Sequence, residues 1–206
     1  MSRMVRNPYA NTPAGVLRKL NEKWRENPLD PNFGYETQGA SYQTPWNRIT
    51  GSVFTCPESG TAQSITVLHY QGAGAWTRWK CALYRHSDLA LIGQTEERYE
   101  YLASGSYWQT FSFPAPKPNL SNIAYILACW AQWQGYDTYD YMTYDAGETD
   151  QGHYQALTYG DWPDPLVPTH ENRKYSIYCT YTVPPPPAWG GSALPQLQMA
   201  KAILEL

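Results

Sequence analysis

The residues of this chain that could do acid–base chemistry are dispersed, and three glutamates come closest to a catalytic pattern. Glycosidases on sandwich folds use two carboxylates about 5 to 9 Å apart. Glu96 and Glu97 are adjacent in the sequence, so in a strand they point to opposite faces and cannot easily pair. Glu100 has no better claim as a partner for Glu97. We therefore predict no catalytic residue and interpret these carboxylates as solvated charges at a strand edge.

The histidines and cysteines show no spacing typical of a metal site, and no metal ligand or cofactor is predicted. The histidines, which lie far apart, are His69, His86, His153 and His170. His69 lies on an otherwise apolar face, which favours a hydrogen-bonded core residue. The cysteines, each in or beside a strand-like run, are Cys56, Cys81, Cys129 and Cys179. Buried free thiols are the first interpretation of these cysteines, and disulfides are the alternative.

Aromatic residues give the strongest binding signal, since they form 15% of the chain and include 18 Tyr and 9 Trp. The residues that could stack on a glycan are Trp76, Trp79, Trp133, Tyr136 and Tyr139. Asp137 and Asp140 could bond sugar hydroxyls, or with Asp145 could hold Ca²⁺, although no EF-hand spacing is present. Subunit contacts are the alternative that we favour for the aromatic residues, because Tyr and Trp are also enriched in protein interfaces.

Composition indicates the kind of fold that must position these residues. Charged residues form only 16% of the chain, which together with the aromatic content excludes a disordered protein. The 17 Pro and 15 Gly interrupt the chain too often for long helices and predict an all-β fold with many turns. A net charge of −3 does not indicate a nucleic-acid partner.

The most apolar stretch, residues 123–133, predicts a strand buried on both faces or central in a sandwich. Tyr125, Leu127, Cys129 and Ala131 would point to one side. Residues 175–183 alternate strictly and predict a second strong strand. Together with the shorter strand-like runs between them, these stretches predict about eight antiparallel strands over residues 49–183. Within this range, residues 161–168 are predicted to be irregular because their prolines cannot donate hydrogen bonds to a sheet.

Both ends of the chain are predicted to be short helical arms outside the sandwich. Residues 1–48 contain one helix that begins near Thr12, and residues 184–206 contain a Pro-rich spacer followed by an amphipathic helix. The apolar residues predicted to contact other subunits are Leu17, Leu20, Trp24, Trp189, Leu197, Ile203 and Leu204. Neither a signal peptide nor a membrane span is predicted.

Several segments resemble a known type of module, namely TCPESGTA (55–62), KCALY (80–84), LIGQTEE (91–97), AYILACWA (124–131) and KYSIYCTYT (174–182). The chain resembles the jelly-roll β-sandwich of virion and surface proteins from thermophilic microbes and their viruses. The resemblance implies a capsid, decoration or fibre component, or a carbohydrate-binding domain.

These observations together predict a non-enzymatic structural protein of a multi-subunit assembly, locked in place by its terminal arms. A virion component (capsid, decoration or tail) that binds copies of itself and other structural subunits is the expected setting. Such a protein would be made in the cytoplasm and act in a virion or extracellular assembly. The alternative is a carbohydrate-binding or receptor-binding jelly-roll module.

Overall fold

Two antiparallel β-sheets form the part of the chain that the computed structural model describes, residues 30–71, 75–132 and 140–184. Within these ranges, sheet A comprises β1 (Asn32–Gly34), β2 (Ser41–Gln43), β4 (Gly60–Gln71), β8 (Gly105–Ser112), β9 (Asn119–Leu120), β11 (Asp140–Ala146), β14 (Arg173–Tyr175) and β15 (Ile177–Thr182). Sheet B comprises β3 (Arg48–Thr55), β5 (Ala75–Arg85), β6 (Leu91–Gln94), β7 (Arg98–Leu102), β10 (Ala124–Ala131), β12 (Gly152–Ala156) and β13 (Thr169–Glu171). The described residues contain no helix, so the predicted all-β class is confirmed.

Strand β10 lies at the centre of sheet B, between β3 and β5. Leu127 pairs with Ser52 on one side and with Leu83 on the other. All its residues except Ala124 are buried. The apolar run at the middle of the sequence is therefore a central strand buried on both faces, as predicted.

The two faces of β10 enter different hydrophobic clusters. Tyr125 and Leu127 belong to the cluster between the sheets, together with apolar residues of sheet A such as Ile65. Ile126 and Trp130 belong to a second cluster on the outer face of sheet B. This alternation follows from the period of two residues in a strand.

The irregular segment 157–168, between β12 and β13, covers this outer face of sheet B. The ring of Trp162 packs at 5.3 Å from that of Trp130 and at 6.1 Å from that of Tyr84, between ring centroids. The ammonium group of Lys80 lies 4.8 Å from the Trp130 ring and donates a hydrogen bond to the carbonyl of Gly160. Residues 161–168 are thus irregular, as predicted. The segment covers the face of β10 that points away from sheet A.

The four cysteines of the chain, Cys56, Cys81, Cys129 and Cys179, are buried and free in the structure. Cys129 of β10 lies directly opposite Cys81 of β5 in the strand register. Burial raises the pKa of Cys129 well above its ordinary value, and the neighbouring Cys81 adds to this effect. The first interpretation of the cysteines, buried free thiols, is the one that the structure supports.

Six strands lie outside the sequence-based prediction, namely β1, β2, β9, β12, β13 and β14, and β14 is separated from β15 at Ser176 within the stretch predicted as one strand. β1 and β2 belong to residues 1–48, assigned above to an N-terminal arm, yet they pair with β15 and β11 in sheet A. β12 and β13 pair with each other, and β12 also pairs with β3. The sandwich therefore begins well before Ile49. The predicted helices and all seven predicted assembly contacts lie outside the described residues.

Candidate functional site

Three of the four histidines lie close together at the surface of sheet B, although they are distant in sequence: His86 and His170 line one cleft, and His153 is buried against both of their rings. The cleft has a volume of about 480 Å³ and is lined by Val53, His86, Glu148, Thr149, Asp150, Gln151 and His170. We call it the histidine cleft. His153, which is only 2% exposed, completes the group.

Strand pairing positions the three imidazole rings. β12 and β13 are antiparallel and place His153 directly opposite His170, with ring centroids 4.6 Å apart. His86 directly follows β5, and its backbone N–H donates to the carbonyl of Ala124 at the start of β10. The His86 ring consequently lies 5.6 Å from the His153 ring. Neither pair of rings is signalled by sequence spacing, because each histidine comes from a different segment of the sheet.

The buried member of this group, His153, has one partnered and one unpartnered ring nitrogen. Its Nδ1 lies 3.4 Å from the carbonyl oxygen of Gln151, whereas its Nε2 has no hydrogen-bond partner. The pKa of His153 is lowered to about 4, chiefly by burial and also by the neighbouring His170 and His86, while the Gln151 carbonyl opposes the effect. His153 is therefore neutral at pH 7.

Acidic residues line the mouth of the histidine cleft. Asp150 Oδ1 lies 4.0 Å from His170 Nδ1. Asp150 has a positive φ of 58°, which aspartate tolerates better than most residues, and its backbone N–H donates to the side chain of Asn172. As the side chains stand, no group of three His, Cys, Asp or Glu residues in the described ranges is arranged to hold a metal ion.

A second group of polar side chains is buried at one end of the core between the sheets. Its members are Trp46, His69, Gln71, Trp79 and Asp140, and we call it the polar cluster. Asp140 of β11 pairs with Gln71 of β4, and the ring centroids of His69 and Trp79 are 3.6 Å apart. Both ring nitrogens of His69 lack a partner, so this histidine is in the core as predicted but is not hydrogen-bonded there.

Burial shifts the pKa values of the two ionisable groups of the polar cluster in opposite directions. It lowers the pKa of His69 to about 3 and raises the pKa of Asp140 to about 7. The indole N–H groups of Trp79 and Trp46 partly oppose the shift of Asp140, although neither completes a hydrogen bond of good geometry. Asp140 is therefore a buried group and not part of an exposed Ca²⁺ or sugar-binding loop. Asp145 accepts a hydrogen bond from the hydroxyl of Tyr35, and Asp137 lies outside the described residues.

Exposed aromatic rings lie on the outer face of sheet B, at its β5–β7 edge. Trp76 is 54% exposed, and its ring lies 5.2 Å from that of Tyr99 and 6.1 Å from that of Tyr101. We call these three residues the aromatic surface. The guanidinium of Arg78 lies 4.8 Å from the Tyr99 ring and also pairs with Glu97 at 2.8 Å.

Trp76 and Trp79 do not share a surface, contrary to the sequence-based grouping. They are three positions apart in β5, so their side chains point to opposite faces of the strand. Trp79 enters the core between the sheets and is only 1% exposed. The other glycan candidates, Trp133, Tyr136 and Tyr139, lie outside the described residues.

The outer face of sheet A also carries exposed rings. Tyr42, which is 47% exposed, lies 4.9 Å from Tyr70 between ring centroids. Trp108, which is 41% exposed, lies 5.5 Å from Tyr178. The two outer faces of the sandwich thus both present aromatic rings to solvent.

The glutamates considered for catalysis are engaged in separate pairs. Glu96 pairs with Arg98 at 3.3 Å, whereas Glu97 pairs with Arg78 and accepts a hydrogen bond from the Tyr159 hydroxyl at 2.6 Å. The side chain of Glu100 is outside the described part of the structure. These contacts give the two described carboxylates a structural role at the edge of sheet B.

No family model matches this chain, and no curated protein is significantly similar to it. Among the described residues, no helix has the length and apolar character needed to cross a bilayer.

Proposed function

We propose that this chain is a non-enzymatic structural protein of a multi-subunit assembly, which binds copies of itself and other structural subunits. The observation that carries the proposal is the exposure of aromatic rings on the outer faces of both sheets. Trp76 is exposed on the outer face of sheet B, and Tyr42 and Trp108 are exposed on the outer face of sheet A. A module that binds one small ligand needs one such surface, whereas a subunit with neighbours on two sides needs two.

Aromatic rings are suited to such contacts on energetic grounds. Tyr and Trp are enriched in protein interfaces, and grouped apolar residues on a surface mark interaction sites. Covering roughly 100 Å² of one ring contributes about 2.5 kcal/mol before the entropic cost of association is subtracted. The three clustered rings of the aromatic surface could therefore make a substantial part of one subunit contact.

A virion shell, its decoration or a tail is the setting that we propose, with the protein acting in the virion or an extracellular assembly. The resemblance to jelly-roll virion modules supports this setting. The strand connections support a jelly-roll order as well, because the chain changes sheet from β3 to β4 to β5 and again from β10 to β11 to β12. The terminal arms, outside the described residues, would add contacts through residues such as Leu17 and Ile203.

The assembly state of the full-length chain tests this proposal. Mass photometry over a range of concentrations should show oligomers, and removal of residues 184–206 should leave a folded monomer. Combined replacement of Trp76, Tyr99 and Tyr101 by serine should weaken assembly, whereas Val167→Ser, at an exposed position outside the aromatic surface, should not. A wild-type chain that stays monomeric at every concentration would overturn the proposal. Normal assembly of the triple variant would show that the aromatic surface does not contribute to the subunit contacts.

Carbohydrate binding is a second candidate, favoured by the geometry of the aromatic surface alone. The exposed indole of Trp76 offers a flat ring, and the paired Arg78 and Glu97 beside it offer hydrogen-bonding groups. Binding on a glycan array should be lost in Trp76→Ala and retained in Trp108→Ala, which alters a ring on the opposite sheet. A wild-type chain that binds nothing on a broad array would argue against this candidate.

A further inference from the structure

We infer that the histidine cleft is a binding site for a divalent transition-metal ion, with His86, His153 and His170 as its nitrogen ligands. This site is separate from the subunit contacts proposed above. It also differs from the sequence-based prediction that the chain has no metal ligands.

His153 carries an unpartnered ring nitrogen that is suited to a metal ion. A neutral imidazole carries its proton on one nitrogen only, and the Gln151 carbonyl, 3.4 Å from Nδ1, favours the proton on that atom. Nε2 then carries a lone electron pair that accepts no hydrogen bond, in a residue that is only 2% exposed. Histidines that bind metals commonly have this arrangement, because they donate the other ring N–H to a carbonyl or carboxylate.

The separation of the rings also fits a shared ion. Two imidazoles bound to one tetrahedral ion, with metal–nitrogen distances of about 2.0 to 2.1 Å, have ring centres roughly 5 Å apart. The observed separations are 5.6 Å from His86 to His153 and 4.6 Å from His153 to His170. The two rings that contact His153 therefore already lie near the spacing that a shared ion requires.

The rings must turn in order to bind the ion. In their present orientations the three side chains do not converge on one point, and no group of three potential ligands does so in the described ranges. His86 and His170 are exposed and line an open cleft, so their rings have space to rotate towards the buried Nε2 of His153. Ion binding then consists of two side-chain rotations around one fixed ligand.

The charges of the cleft favour a cation. Glu148 and Asp150 line it, and no lysine or arginine is among its lining residues. Asp150, 4.0 Å from His170 Nδ1, can either orient that ring or supply an oxygen as the fourth ligand. Imidazole ligands suit Zn²⁺, Cu²⁺ and Ni²⁺, whereas Ca²⁺ and Mg²⁺ prefer sites made wholly of oxygen.

Calorimetric titration of the chelator-treated full-length chain with Zn²⁺ tests the inference. We expect one ion per chain, and at least tenfold weaker binding in both His86→Ala and His170→Ala. Asp88→Asn is a matched control, because Asp88 lies close to His86 in sequence but does not line the cleft. This variant should bind as the wild type does.

Thermal unfolding and Co²⁺ spectra give independent readouts. Zn²⁺ should raise the Tm of the wild-type chain and leave that of the His86→Ala, His170→Ala double variant unchanged. Co²⁺ should give the intense visible absorption of a tetrahedral site in the wild type alone. Because the two replaced side chains are exposed, circular dichroism of the variants should match the wild type. Absence of Zn²⁺ binding, or equal binding by wild type and double variant, would overturn the inference.

Discussion

Asp140→Asn removes a buried carboxyl group whose pKa rises from 3.8 to about 7 in the folded chain. Because the folded-state pKa lies above the unfolded-state value, the folded chain keeps a proton that the unfolded chain releases between these two pH values. The stability linked to this group is therefore fully present below the unfolded-state pKa and is lost as the pH rises through the folded-state pKa. One pKa unit corresponds to about 1.4 kcal/mol, so a shift of about 3 units corresponds to a loss on the order of 4 kcal/mol.

Urea unfolding of wild type and Asp140→Asn at pH values from 4 to 8 measures this effect. The free energy of unfolding of the variant should rise relative to the wild type by up to about 1.4 kcal/mol per pH unit between pH 4 and 7, and then level off. A pH-independent offset added to this slope would report only how well the amide packs. An offset without any slope between pH 4 and 7 would refute the reasoning, because it would mean that the carboxyl of Asp140 ionises equally easily in both states.

Asp145→Asn provides a control of opposite sign. The carboxylate of Asp145 accepts hydrogen bonds from the hydroxyl of Tyr35 at 2.6 Å and from the backbone N–H of Ala40 at 2.9 Å, and these bonds lower its pKa. Its contribution to stability is thus present above the unfolded-state pKa and is lost as the pH falls through the lower folded-state value. Relative to wild type, this variant should therefore be less stable at neutral pH and approach the wild type in acid.

Two further predictions concern the covers and the core of the sandwich. Trp162→Ala should lower the free energy of unfolding by about 3 to 5 kcal/mol in urea titrations, because it exposes Trp130 to solvent. Val167→Ala, at an exposed position in the same segment, should change the free energy of unfolding by less than about 0.5 kcal/mol. Equal effects of the two substitutions would show that segment 157–168 does not cover the outer face of sheet B. The four thiols should react with Ellman's reagent only after unfolding, since all are buried, and rapid reaction of any thiol in the native protein would contradict the described core.

The long strands could be predicted because their side chains carry the signal. β10 consists almost wholly of apolar residues, and β15 alternates strictly, since burial on two faces or on one face requires these patterns. The strands of two or three residues could not be predicted in this way. β2 (Ser41–Gln43) and β13 (Thr169–Glu171) are polar and are held by backbone pairing next to a longer strand, which leaves little trace in residue types.

The candidate sites show the same division. Exposure of Trp76 could be anticipated, but the grouping of Trp79 with it was wrong, because β5 begins at Ala75 and not at Trp79, which sets the two side chains on opposite faces of one strand. The convergence of His86, His153 and His170 could not be anticipated, because it depends on the order of strands in sheet B. The burial of Asp140 likewise depends on its position opposite Gln71 in the register of β11 and β4.

A cryo-electron microscopy structure of the assembled full-length chain tests the central claim most directly. The account predicts that a neighbouring copy or another structural subunit covers Trp76 on one outer face of the sandwich and Trp108 on the other. Particles in which both residues remain open to solvent, or a preparation that contains only monomers, would contradict it.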